Sequence, residues 1–552
     1  MTQRGRYPIG DEDVVTIKGR YLYKGDGDTR FFVKGIAFPI PPPAPVKIDI
    51  DGWITVLEQL ANDTDINAVR IYDMDCYHVD DTYDPFLRRA AELGIYVIVP
   101  LTSSEGDGNL SRDTSPPDCY PQKLFHYGKT CIDKYWDRPN VLMGVIGNEV
   151  MNSFTTYKSA PCVKSYLQDL VKYSRSLSSQ SSSSRKAFPL IYATQHDSPT
   201  SELHPDEAIK LTLDYLSCAS GTERSDGALD LVFGINIESW CSSSESFDVE
   251  DDGITESSYH SLWRTFSGKN KTVKIVDAVT GDFTLEQVLP VSPIPVAVPV
   301  VFSEMGCSRR DFNRDNPLIP EDLKNIRDWK QIPLVSSEDG KMADLWSGFI
   351  AYAYDGGGFD VFRMMGGNST KWNGKESLPP STEYNNFRYQ LSKVNNRSLT
   401  GESSFSLSEI AEIDQSTLSC KDATAKIRKF FGVKLYSLSE MPSYFPEVRD
   451  NVKRLTTFDP RAPPSAGTPT ESSITNRVAS YGELHLLISV LLFVLLAVGF
   501  LFLGRRRGER PNIRFGWLEQ RFGLNVDSNN NKRHFEDENI PLKSADMNYG
   551  SM

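Results

Sequence analysis

Eight short runs of apolar and β-branched residues, spread over the first two thirds of the chain, constrain the fold more than any other feature. Helical patterns separate most of these runs. Alternating strands and helices are typical of a parallel sheet, and eight such units are typical of a closed barrel. The predicted strands are Phe31–Phe38, Ile66–Tyr72, Ile95–Leu101, Val141–Glu149, Pro189–Thr194, Leu231–Glu238, Val298–Glu304 and Gly348–Tyr354.

An open, doubly wound sheet is the alternative α/β arrangement. It fits less well because no glycine-rich phosphate turn follows the first strand, where Ala37–Pro43 instead reads as a stiff, proline-rich loop. We therefore expect a (β/α)8 TIM-type barrel. The predicted helices are Trp53–Leu60, Asp84–Leu93, Gln122–Trp136, Ala160–Ser176, Asp206–Ser217 and Lys341–Trp346.

The 552 residues exceed what such a barrel needs, and the composition changes along the chain. We expect a lead-in, the barrel, a post-barrel segment, a stalk rich in Pro, Ser and Thr, one transmembrane helix and a disordered cytoplasmic tail. The corresponding ranges are 1–30, 31–395, 396–459, 460–483, 484–503 and 504–552.

Leu484–Leu503 is apolar almost throughout and long enough to span a bilayer as a helix. Arg505, Arg506 and Arg507 follow it, which places the tail in the cytoplasm and the large N-terminal part in the lumen or outside the cell. All eight cysteines precede the span, which favours disulfides in an oxidising compartment. The sequons precede it as well, at Asn62, Asn109, Asn270, Asn368 and Asn396.

The segment Met1–Pro8 has no apolar stretch of the kind that a secretory signal requires. We expect that the chain start is incomplete or processed; the alternative is a cytosolic domain with inverted topology. The net charge of −13 argues against a nucleic-acid partner, which would require a basic face.

Two predicted strands end on a glutamate, Glu149 and Glu304. In parallel barrels the active site lies at the C-terminal ends of the strands, so the two carboxyl groups should face one site. Two carboxyl groups about 5–5.5 Å apart are the equipment of a retaining glycosidase, in which one attacks the anomeric carbon and the other handles the proton. Asn148 precedes Glu149 and is placed to hydrogen-bond a sugar 2-hydroxyl.

Seven segments carry a recognisable set of motifs: Phe32–Ala37, Val69–Tyr72, Gly94–Ile98, Gly147–Val150, Asn236–Cys241, Phe302–Cys307 and Asp344–Gly348. In their residues, order and spacing they resemble the signatures of glycoside hydrolase family 72, the β-1,3-glucanosyltransferases. The resemblance implies that Glu149 is the acid/base and Glu304 the nucleophile. It also implies disulfides between Cys241 and Cys307 and between Cys218 and Cys420, and it leaves Cys76, Cys119, Cys131 and Cys162 without assigned partners.

The implied reaction cleaves β-1,3-glucan and transfers the segment to another glucan through a glycosyl ester on Glu304. Two departures from the family pattern keep a β-glucan hydrolase and a catalytically silent glycan-binding barrel as alternatives. Glu238 stands where the family usually has a tyrosine, and Asp355–Phe359 replaces the usual element after the last strand.

Other residues near the strand ends have two interpretations each. Tyr72 either reaches the nucleophile or packs at the barrel rim, Trp240 either stacks on a sugar or packs on a disulfide, and Arg70 either orients Glu304 or forms a structural ion pair. The spacing of Asp73, Asp75, Cys76 and His78 fits no metal-ligand motif, so we expect no metal and no cofactor.

Overall fold

The computed structural model places its described residues in one compact unit, Met1–Lys453. The predicted stalk, span and tail lie outside the described residues. Among those that are described, no helix has both the length and the hydropathy that crossing a membrane requires. The described residues are 8–25, 29–38, 49–76, 82–103, 108–178, 185, 187–196, 205–218, 230–238, 245–246, 255–256, 258–267, 271–276, 283–289, 298–306, 327–336, 342–343, 345–353, 382–394 and 419–445.

All eight predicted strands are present, and they form a closed parallel barrel, which confirms the predicted barrel. The strands are Val15–Lys18 (β1), Tyr21–Lys24 (β2), Val33–Ala37 (β3), Ala68–Arg70 (β4), Tyr96–Pro100 (β5), Val141–Asn148 (β6), Leu190–Gln195 (β7), Leu231–Glu238 (β8), Glu245–Ser246 (β9), Thr255–Glu256 (β10), Lys271–Val276 (β11), Phe283–Leu289 (β12), Val300–Gly306 (β13) and Gly348–Ala351 (β14). The strand order around the barrel is β13-β14-β3-β4-β5-β6-β7-β8. An antiparallel hairpin, β1 with β2, precedes the barrel, and two two-stranded ladders, β9 with β10 and β11 with β12, follow β8.

Five of the six predicted helices are present, with ends shifted by a few residues. The helices are Ile50–Asp63 (α1), Asp84–Glu92 (α2), Gln122–Tyr135 (α3), Ala160–Ser178 (α4), Pro205–Ser217 (α5), Ser258–Ser267 (α6), Gln331–Val335 (α7), Thr382–Ser392 (α8) and Cys420–Phe431 (α9).

The predicted helix Lys341–Trp346 is not found in the residues of that segment that the structure describes, 342–343 and 345–346. The N–H groups of Leu345 and Trp346 both donate to the Met342 carbonyl, at 3.0 and 3.2 Å, and form a turn. The run is too short to offset the cost of starting a helix. The indole ring of Trp346 instead packs on Phe302, with ring centroids 4.9 Å apart.

The barrel strands are buried on both faces, which explains their nearly continuous apolar sequences. Side chains such as Val33, Ile98 and Val301 fill the barrel, and those between them in sequence pack against the helices. Val15 and Leu22 of the hairpin join the inner cluster and so extend the core beyond the barrel strands.

Disulfides connect the barrel to its surrounding segments. The structure pairs Cys218 with Cys420, the pairing that the resemblance implies, and thereby ties α9 to the end of α5. The predicted Cys241–Cys307 pair lies outside the described residues. The four cysteines without assigned partners form Cys76–Cys131 and Cys119–Cys162.

Candidate active site

Glu304 and Glu149 both lie at the C-terminal edge of the barrel. Glu304 lies within β13 and is only 7% exposed, whereas Glu149 directly follows β6 and is half-buried. Glu149 has a φ of 52°, in the left-handed region, and its N–H donates to the Ala193 carbonyl at 2.8 Å. A non-glycine residue in this region costs on the order of 1 kcal/mol or more, and such strain clusters at functional sites.

Two donors from the end of β4 hold the Glu304 carboxylate. Arg70 Nη1 lies 3.1 Å from Glu304 Oε1, and the Tyr72 hydroxyl donates to the same oxygen at 2.8 Å. Arg70 is 2% exposed, so this ion pair is shielded from water and salt. The structure therefore brings Arg70 and Tyr72 into contact with the predicted nucleophile.

Burial raises the pKa of Tyr72 well above its ordinary value, although the nearby Arg70 charge opposes the shift. The hydroxyl group therefore keeps its proton at neutral pH, and it can act as a donor to the carboxylate. The Arg70 guanidinium carbon also lies 4.5 Å from the centroid of the Tyr72 ring, which packs the two donors together.

Two asparagines connect the surroundings of Glu304 with those of Glu149. Asn148 Oδ1 accepts from Arg70 Nη2 at 2.8 Å and from Asn236 Nδ2 at 3.1 Å. Asn236 Nδ2 also donates to Glu149 Oε1 at 2.8 Å. A continuous hydrogen-bonded path thus leads from Glu304 through Arg70 and the two asparagines to Glu149.

Asn236 and its neighbour Ser303 were not predicted as site residues from the sequence. Asn236 is 4% exposed and Ser303 is fully buried, and the Ser303 hydroxyl donates to Asn236 Oδ1 at 2.7 Å. Each is a polar residue within an otherwise apolar strand buried on both faces. Such residues need a buried hydrogen-bond partner, and this pattern is the signal that would have identified them.

The remaining predicted site residues are only partly described. Glu238 ends β8, where its backbone pairs with Gly306, two residues beyond Glu304. Trp240 lies outside the described residues. Asp73 and Asp75 follow β4, and burial together with the Asp75 charge raises the pKa of Asp73. The described residues contain no cluster of three or more side chains suited to bind a metal ion.

Residues 9–269 match the family model described as Glucanosyltransferase, that of glycoside hydrolase family 72. Over that stretch the chain is similar to the glucanosyltransferases of glycoside hydrolase family 72. The match covers β3 to β8 and therefore includes Arg70, Tyr72, Asn148, Glu149 and Asn236.

The curated relatives are distant in sequence. Candida albicans pH-responsive protein 1 is 24% identical over 430 residues, which cover 75% of this chain and 62% of the relative. Aspergillus fumigatus 1,3-beta-glucanosyltransferase gel1 is 26% identical over 234 residues, 42% of this chain and 46% of the relative. Saccharomyces cerevisiae 1,3-beta-glucanosyltransferase GAS2 is 22% identical, with 72% and 59% covered. The chain spans less than two thirds of the length of these relatives.

Solved structures of Saccharomyces cerevisiae Gas2 also align with this chain. The complex with compound 11 has 20% identity and a TM-score of 0.49, with 75% of this chain and 74% of that chain covered. A mutant in complex with laminaritetraose and laminaripentaose has 21% identity and a TM-score of 0.48, with 70% and 68% covered.

Proposed function

We propose that this chain is a retaining β-1,3-glucanosyltransferase, which cleaves a β-1,3-glucan and passes the new segment to another glucan. The observation that carries the proposal is that Arg70 and Tyr72 both bind the Glu304 carboxylate, at the barrel edge where Glu149 also lies. The match to the family 72 model and the similarity to proteins named 1,3-beta-glucanosyltransferases support the same reaction.

The first step is attack by the Glu304 carboxylate on the anomeric carbon. The Arg70 guanidinium stabilises the negative charge, and two donors on one oxygen fix the carboxylate's orientation. The bond to the leaving oxygen breaks while Glu149 protonates that oxygen, and a glycosyl ester forms on Glu304.

The second step reverses these roles. Glu149, now a carboxylate, accepts the proton of an acceptor hydroxyl, which attacks the ester and releases Glu304. Asn148 Oδ1 is occupied by Arg70 and Asn236, which directs the side-chain N–H donors of Asn148 to other partners such as a sugar 2-hydroxyl. That bond would strengthen as the ring approaches the oxocarbenium-like transition state.

Incubating the full-length chain with reduced laminari-oligosaccharides and following product lengths tests the proposal. Products longer than the donor are expected. Shorter products alone would replace transfer with hydrolysis, and no change with folded protein would favour the glycan-binding barrel, for which Glu238 is the motivation.

The two carboxyl roles can be separated with azide and an activated aryl β-laminaribioside. Glu149→Ala should yield a β-glycosyl azide, because azide then replaces the acceptor on an intact ester intermediate. Glu304→Ala should yield an α-glycosyl azide, because azide then attacks the substrate directly. The opposite pair of products would exchange the two roles.

We further propose that Leu484–Leu503 anchors the protein in a membrane, with the barrel on the luminal or outer side and the tail in the cytoplasm. The disulfides, the sequons and the arginines after Leu503 support this topology. In its native cell the protein should lose apparent mass on endoglycosidase treatment. The loss of mass should be smaller for the variants Asn62→Gln and Asn109→Gln than for wild type. Both asparagines are exposed. An unchanged mass would contradict the luminal location.

A further inference from the structure

We infer that Asn236 and Ser303 together position the Glu149 carboxyl group for proton transfer to the leaving oxygen. This inference rests on the proposed function, because it assigns residues to the acid step of that reaction. Both residues are buried, and neither has an acidic side chain that could protonate the leaving oxygen. Their effect on the acid step therefore passes through Glu149, which makes them positioning residues.

The Ser303 hydroxyl sets the orientation of the Asn236 amide. Asn236 Oδ1 accepts from Ser303 Oγ at 2.7 Å, so Nδ2 points to the other side, towards Asn148 Oδ1 and Glu149 Oε1. A flipped amide would turn its oxygen towards those two acceptors and leave them without this donor. One hydroxyl group therefore selects the amide orientation that supplies a donor to Glu149.

Gly234 provides the space for this hydroxyl group. It lies two residues before Asn236 in β8, on the same face of the strand. A Cβ at Gly234 would lie 2.6 Å from Ser303 Oγ and 2.9 Å from Ser303 Cβ, which is closer than real Cβ contacts. The absence of a side chain at Gly234 thus lets Ser303 reach Asn236.

The donor fixes which carboxyl oxygen of Glu149 carries the proton. Because Oε1 accepts from Asn236 Nδ2, the proton of the neutral acid belongs on Oε2. The same bond limits rotation of a half-buried side chain that would otherwise occupy several rotamers. Oriented proton donors are worth about 10²–10⁴-fold in rate, so the loss of orientation should be measurable.

The test compares two leaving groups. A laminari-oligosaccharide needs protonation of its leaving oxygen, whereas a 2,4-dinitrophenyl β-laminaribioside does not. We expect Asn236→Ala and Ser303→Ala to lower kcat/KM for the oligosaccharide by at least about 10-fold, and to change kcat/KM for the aryl glycoside by less than about threefold. Equal losses on both substrates would overturn the inference, since they would indicate general damage to the site.

Two further variants sharpen the test. Asn236→Ala/Ser303→Ala should lose no more than Asn236→Ala alone, because Ser303 acts only through the amide; additive losses would contradict that relation. The matched control is Ser347→Ala, a fully buried serine that bonds to the Arg20 carbonyl outside this network, and it should alter neither substrate's kcat/KM.

A measurement independent of turnover separates this inference from the proposed function. In protein labelled with 15N-asparagine, the Asn236 side-chain NH₂ signal, assigned by Asn236→Asp, should exchange slowly with solvent and shift in both Glu149→Gln and Ser303→Ala. Exchange as fast as that of an exposed asparagine would overturn the positioning role even if wild-type protein is active. If the signal exchanges slowly but the protein is inactive on both substrates, the outcome would support the positioning of Glu149 by Asn236 and contradict the proposed reaction.

Discussion

Tyr72 donates its hydroxyl hydrogen to Glu304 Oε1 at 2.8 Å, on the same oxygen that Arg70 contacts. The two donors differ in kind, because Arg70 contributes a full charge and Tyr72 a neutral hydrogen bond. Because burial raises the pKa of Tyr72 well above its ordinary value, this donor does not titrate in the working range of an enzyme. The two contributions to the Glu304 site can therefore be measured separately.

Tyr72→Phe should lower kcat by about 10- to 100-fold, because a hydrogen bond to a charged group contributes about 1.5–3 kcal/mol. Steady-state rates on laminari-oligosaccharides measure the effect. Tyr96→Phe is the matched control, since it removes a hydroxyl whose partner is the Asp13 carbonyl, away from this site. It should leave kcat unchanged, and an equal loss in both variants would argue against a specific role for Tyr72.

Arg70→Met should destabilise the fold by about 3–5 kcal/mol, because it leaves the Glu304 charge buried without its cationic partner. Urea unfolding at pH 7 measures the difference. Arg70→Met/Glu304→Gln should recover part of the loss, since the neutral amide is cheaper to bury than an unpaired carboxylate. If the double variant is no more stable than Arg70→Met, the cost arises from the lost contacts to Ser303 and Asn148 instead.

The sequence could predict the barrel and the two glutamates because both depend on local patterns. Strands buried on both faces read as apolar runs, and a carboxylate at the end of such a run is conspicuous. A polar residue such as Asn236 in an apolar strand indicates a buried hydrogen-bond partner, but its partners, Glu149 and Ser303, depend on which strands become neighbours, a long-range property that single-strand patterns do not contain. The disulfides Cys76–Cys131 and Cys119–Cys162 depend on proximity in space for the same reason. The helix predicted at Lys341–Trp346 is not found in the described residues of that segment, because burial of Trp346 prevailed over a weak helical pattern.

Asp73→Asn should stabilise the fold at pH 7. Burial and the Asp75 charge raise the pKa of Asp73, so the folded protein binds this proton more tightly than the unfolded chain does. Ionised Asp73 therefore lowers stability at neutral pH, and that cost is relieved as the pH falls through the folded-state pKa towards the ordinary value of 3.8. The urea concentration at the midpoint of unfolding should be higher for Asp73→Asn than for wild type at pH 7, and the two midpoints should converge near pH 3.5.

The exposed Asp118 provides the control for that comparison. Asp118→Asn removes the same charge from the surface and should change the unfolding free energy by no more than about 0.5 kcal/mol at either pH. A gain at pH 7 as large as that of Asp73→Asn would attribute the effect to net charge rather than to the half-buried, like-charged pair of Asp73 and Asp75.

Cys218→Ala/Cys420→Ala should destabilise the protein by about 2–4 kcal/mol, because the bridge closes a sequence separation of 202 residues. The loss should appear first in α9, which the bridge holds against α5. Limited trypsin digestion should then cut at Lys421 and Lys426 before the barrel is cleaved. Phe431→Ala loosens the same helix with the bridge intact, since the Phe431 ring stacks on Tyr157 with centroids 3.4 Å apart. Phe431→Ala should make the C-terminal end of α9 more accessible to trypsin than its start at Lys421. Identical digestion patterns for Phe431→Ala and the double cysteine variant would mean that the bridge does not restrain the start of the helix.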